Sequence, residues 1–282
     1  MREKPFYSIR TGINVNGITL DFQQVCKKFI SHYNGWKHEG YFQEYLGYEC
    51  VDNGPVPGIL GEDIEGEIIL QVRKSNLWPI SYSIEHYTED DLFDIIEFLY
   101  DNVSKPTRRN YHEWNNCGWH CHDFDRDEGR VEFRNKINRI LKEYSYGYEL
   151  TVDGDILALP QSGLELLLEK PVPKHDPENV DSKVAIAVHK FRRHHASPDV
   201  KRDAIRELAD VLEFLRPQLK DVLNSKDEDD LFNILNNFGL RHHNNSQQVE
   251  YHKDVWYDWL FYFYLSAIHG TIRLIQESNI NE

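Results

Sequence analysis

The chain has no stretch approaching the roughly 20 uninterrupted apolar residues that a membrane span requires. Its first residues, MREKPFYSIR, hold no apolar run of the kind a secretory leader needs, so the expectation is a cytoplasmic protein without a membrane partner. Cysteine is scarce: Cys26, Cys50, Cys117 and Cys121 are too few and too irregularly spaced for a disulfide framework in 282 residues, and they read as reduced thiols. Positive charge is outnumbered, 32 Lys and Arg against 47 Asp and Glu. The resulting net charge of -15 repels phosphate backbones on average, which disfavours broad nucleic-acid binding through counterion release but leaves room for a local basic pocket. Also missing are G-x-G-x-x-G, a P-loop, G-x-S-x-G and H-E-x-x-H, so nucleotide-binding, serine-hydrolase and zincin readings have no support.

What is present argues for a globular protein, since 40% hydrophobic and 13% aromatic residues supply enough apolar surface to offset chain entropy. In TLDFQQVCKKFISHYNG, Phe22, Val25, Phe29 and Tyr33 recur at helical spacing, and Asn34-Gly35 reads as the stop. The Gly-, Pro- and aromatic-rich stretch that follows, to Gly61, reads as a loop. Thr88 and Asp91 form a capping pair ahead of a stripe of Leu92, Ile95, Ile96 and Leu99. Lys105-Pro106 should end that helix and open a polar insert running to about Gly129. Phe133, Ile137, Ile140 and Leu141 predict another amphipathic helix, and the alternating runs around Asp153-Gly154 predict a β-hairpin.

These signals give an α+β first domain over residues 1–168. A proline-rich, charge-alternating segment reads as an extended linker over 169–181, with an all-helical bundle over 182–282. Four helices are expected in that bundle. The first carries Val184, Val188 and Phe191; the second opens at Ser197-Pro198 and should kink or end at Pro217. The third is capped by Ser225 and Glu228 and closed by Gly239, and the acidic run at 226–230 reads as charge at its N-terminus rather than a metal site. The fourth, KDVWYDWLFYFYLSAIHGTIRLI, is aromatic nearly all round and should be central or lie in a dimer interface.

Three clusters bear on chemistry. Arg241-His242-His243-Asn244-Asn245 joins a fixed cation with groups whose ordinary pKa is about 6.5, the pair needed to hold a phosphodiester and move a 2′-hydroxyl proton; the same loop could cap a helix end. Arg192, Arg193, His194 and His195 close the first C-terminal helix, where cations complement the macrodipole; beside the 241–245 loop they would add a phosphate pocket. The insert HEWNNCGWHCHDFD offers His112, Cys117, His120, Cys121 and His122 as zinc ligands, but without a second distant ligand pair it reads first as a loop packing its two tryptophans. No metal or cofactor is therefore expected.

The stretch from FYSIRTGI through DDLFDIIEFLYDNV to FRNKINRILKEYSYGYELTVDGDILAL resembles the N-terminal domain of abortive-infection J (AbiJ) type proteins, over roughly the first 165 residues. The second half, from AIAVHKFRRHH through LADVLEFLRPQLKDVL to LFNILNNFGLRHHNN and the aromatic helix, resembles a family of bacterial proteins and, more distantly, HEPN-type helical domains. That resemblance implies a usually dimeric bundle in phage defence, often a metal-independent endoribonuclease, acting on RNA alone or with an antitoxin or defence partner. It makes Arg241, His242 and His243 the catalytic candidates and Asn244, Arg192, Arg193 and His195 the substrate contacts. The HEPN pattern places a His four to six positions after its Arg, where this chain has Asn245, Ser246 and Gln247. A non-catalytic dimerising sensor or interaction protein is the alternative.

Overall fold

The computed structural model describes residues 6–12, 19–160, 172–219, 232 and 253–280. The chain is mixed α+β and divides into two compact units, Met1–Leu157 and Ala158–Glu282. Among the described residues no helix is long and apolar enough to cross a membrane.

The first unit opens its core with helix α1, Phe22–Glu39. Its start is fixed by a capping box: the Gln24 amide donates to Asp21 at 2.8 Å and the Asp21 amide donates to the Gln24 side chain at 3.0 Å. The expected stop at Asn34-Gly35 is corrected by the structure. Trp36 continues the buried stripe and packs its ring, tilted, 4.6 Å from that of Phe133, which outweighs a mid-helix glycine worth about 1 kcal/mol. The helix instead ends at Gly40, which takes the left-handed conformation at φ 86°.

The region expected to be a loop contains a hairpin, β1 (Tyr48–Cys50) with β2 (Gly54–Val56), turning through Val51, Asp52 and Asn53. Helix α2 (Ile64–Val72) follows, then α3 (Glu89–Asp101), where Thr88 and Asp91 cap each other as predicted and Leu92, Ile95, Ile96 and Leu99 are buried. The polar insert is also corrected. It is an antiparallel hairpin of β3 (Lys105–His112) and β4 (Gly118–Asp125). Its pairing is carried by cross-strand aromatics, with Tyr111 edge-on to Trp119 at 5.0 Å and the Arg109 guanidinium 4.2 Å above the same ring. Helix α4 (Arg126–Leu141) buries Phe133, Ile137, Ile140 and Leu141, and the hairpin β5 (Tyr148–Leu150) and β6 (Ile156–Ala158) turns around Asp153-Gly154, both as expected.

In the second unit, residues 177–181 of the expected extended linker form a π-helical turn capped by Asp176, whose carboxylate accepts from the Glu178 and Asn179 amides. Helices α5 (Ser182–Arg192), α6 (Pro198–Leu219) and α7 (Lys253–Ile280) share one core, in which Phe191 stacks on Phe261 at 3.9 Å. Pro217 does not end α6: Leu215 and Leu219, one turn apart, are both fully buried, and their packing carries the helix past the proline. The expected third helix lies outside the described residues except for Phe232, which is helical and buried.

Candidate functional site

Arg241, His242, His243 and Asn244 lie outside the described residues. At the end of α5, Arg192 is 7% exposed and its Nε donates to the Ala158 carbonyl at 2.9 Å, while Arg193 and His195 are exposed. His195 has a φ of 53° and its ring lies 3.8 Å from that of His194. Arg192 is thus committed to an internal carbonyl, and Arg193 and His195 are the members of this cluster that face solvent.

The first unit brings together a different set. One ligand-type atom each from Cys50, His112, Cys117 and His120 lies within 4.8 Å of all the others. Cys50 ends β1, His112 ends β3, Cys117 sits in the turn between β3 and β4, and His120 is on β4. Two hairpins distant in sequence therefore meet at one point. Of the five zinc-type residues in the insert, His112, Cys117 and His120 belong to this group. Cys121 and His122 do not. Strand alternation turns Cys121 toward Gly40, where an added Cβ would meet its Sγ at 2.3 Å, and His122 pairs with Asn110 at 3.4 Å.

Each donor has defined company. The backbone amides of Asn53 and Asp52 donate to the Cys50 sulfur and hold its thiol below the ordinary value, with a further hydrogen bond from Cys117. The Val51 amide faces the Cys117 sulfur at 3.5 Å, and that sulfur is 3.2 Å from His120 Nε2. His120 is kept below its usual value by burial first, then by His112 and His122. His112 places Nε2 3.3 Å from an Asp52 carboxylate oxygen, while its Nδ1 is buried with no hydrogen-bond partner. Thiolate and neutral imidazole are the forms that bind a soft or borderline divalent ion.

Cys50 was missed in the sequence because it stands alone, far from the insert. The signal that could have found it is C-V-D-N-G: a cysteine entering a tight turn whose next amides curl back onto its sulfur.

Beside β1 lies a cleft of about 250 Å³ walled by Tyr33, Phe42, Tyr48 and Trp78, with Lys37 and Glu49 among its charged residues. Its lining includes no His or Cys, so the four-donor cluster is the richer chemistry in this unit. No family model, curated protein or solved structure matches the chain.

Proposed function

We propose that the chain is a two-unit protein of the abortive-infection type, whose helical unit is a HEPN-like effector that cuts RNA and whose first unit is a recognition module. Two features support this reading: the resemblance of both halves of the sequence, and a helical second unit in which Arg241–Asn245 stands shortly ahead of the long helix α7. In this reading Arg241 holds the phosphate. His242 or His243 takes the 2′-hydroxyl proton, the 2′-oxygen attacks phosphorus, and the 5′-oxygen leaves with a proton, giving a cyclic phosphate end without a metal ion. Asn244, Arg193 and His195 are the substrate contacts, and Arg192 supports the fold beside them.

The test is incubation of the purified full chain with total cellular RNA in the presence of EDTA, beside Arg241→Ala and His243→Ala. The wild type is expected to cut and each variant to lose at least about 100-fold, the contribution of a positioned proton-transfer group for His243 and of a fixed charge on the phosphate for Arg241. Intact RNA with the wild type, or variants that cut as well as the wild type, overturns the reading.

A second reading, a dimerising sensor or interaction protein of a defence system, is favoured by α7. It leaves Val255, Trp256 and Trp259 exposed at 66%, 38% and 44%, an aromatic face suited to a second copy of the chain. Intact RNA together with a solution mass of two chains selects it.

A further inference from the structure

We infer that Cys50, His112, Cys117 and His120 form a closed four-coordinate zinc site that joins the β1–β2 and β3–β4 hairpins of the first unit. The inference does not depend on the RNA-cutting reading, because it concerns other residues and another unit.

Geometry is the first support. Zinc bonded to sulfur at about 2.3 Å and to nitrogen at about 2.0 Å sets tetrahedral edges of roughly 3.3–3.8 Å between ligand atoms. The four donors already lie within 4.8 Å of one another, with Cys117 Sγ and His120 Nε2 at 3.2 Å, so closing the site takes only small side-chain movements.

The turn between β1 and β2 is the second support. The Val51 amide of that turn donates to the Cys117 sulfur at 3.5 Å. An N–H donor on that sulfur matches a metal-bound thiolate, whose negative charge it shares. The third support is His112. His112 Nε2 lies 3.3 Å from an Asp52 carboxylate oxygen, and its Nδ1 is buried with no hydrogen-bond partner. A buried ring nitrogen left without a partner is destabilising, and a metal ion supplies what is missing. A carboxylate behind a ligand histidine is the usual outer partner in zinc sites.

The donor set selects the ion. Two thiolates and two neutral imidazoles neutralise a divalent charge, and sulfur with imidazole favours zinc over the oxygen-seeking magnesium and calcium. Four protein ligands leave no open position for water or substrate, so the site serves the fold. A Cys50–Cys117 disulfide, the competing use of these sulfurs, would leave His112 Nδ1 unsatisfied.

The full chain, purified with reductant and without chelator, is expected to hold one zinc per chain by elemental analysis. Exchange with Co²⁺ is expected to give the visible bands of a tetrahedral ion with a thiolate charge-transfer band. Titrating the wild type with an organomercurial should release the zinc as two thiols react, a readout that needs no variant to fold. Cys50→Ser and Cys117→Ser should lose the metal, Cys121→Ser and His122→Gln should keep it, and Asp52→Asn should weaken zinc binding by about 10–100-fold. The proposal is overturned by any of three results: wild type refolded with Zn²⁺ and dialysed holds no metal, Cys50→Ser retains as much as wild type, or the mass shows a two-dalton deficit with Cys50 joined to Cys117.

Discussion

Glu97 faces the interior from α3, and its Oε1 accepts the Ile156 amide at 2.6 Å. Burial pushes its carboxyl up to about 7; Asp155, Asp94 and Asp101 add to the effect, and the Ile156 hydrogen bond opposes it. In the unfolded chain the same group titrates near 4.5. Between these values the folded protein keeps a proton that the unfolded chain has released, so this term raises stability as pH falls through 7 and is absent above it. For a half-buried carboxyl the size is on the order of 1–2 kcal/mol after solvent screening. Asp91 and Glu132 are shifted the other way, so their contribution is lost only below their ordinary range. His32 and His120, both held low, oppose Glu97 in the same window, and a substitution is needed to isolate it. Glu97→Gln, which can still accept from Ile156, should stabilise the protein by that amount at about pH 8 and by nearly nothing at about pH 5. Urea midpoints of the two proteins across this range give the answer, and a pH-independent difference would show that Glu97 is ionised in the fold.

Two glycines on helices make opposite predictions at the scale of the element. In α4, a Cβ on Gly129 would meet the Lys105 amide nitrogen at 2.6 Å and the Ser104 Cα at 2.7 Å, so the helix and the start of β3 approach too closely for any side chain. In α1, Gly35 is exposed with nothing within 4 Å of its missing Cβ. Alanine at Gly129 should cost about 1–3 kcal/mol through overpacking against backbone that cannot yield, despite its better helix propensity. Alanine at Gly35 should gain about 0.5–1 kcal/mol. Chemical denaturation of the two variants separates the effects, and equal shifts of the same sign would mean that propensity alone decides both positions. The contrast also shows where sequence reading succeeds. The stripes of α3 and α4 were legible because one apolar face against one polar face is written in the order of residues, as were the Thr88–Asp91 cap and the Asp153-Gly154 turn. The β3–β4 hairpin was not, since polar and aromatic residues occupy both of its faces and its pairing rests on Arg109, Tyr111 and Trp119 meeting across strands. Cys50 was hidden for a related reason: only the fold of two hairpins brings it to His112, Cys117 and His120.

For the molecule as a whole, the net charge of -15 limits how RNA can be held. A surface acidic on average cannot follow a long stretch of phosphates, so binding must depend on a few local cations, of which Arg241 and Arg193 are the proposed pair. If these and a neighbouring histidine contact about three phosphates, the logarithm of the affinity should fall against the logarithm of salt with a slope of about -2. The measurement is fluorescence anisotropy of a labelled single-stranded RNA with His243→Ala, chosen so that binding is followed without cutting. A slope beyond about -5 would require a long basic track, inconsistent with this composition. The absence of binding even at low salt would remove RNA as the substrate and leave dimerisation through α7 as the function to pursue.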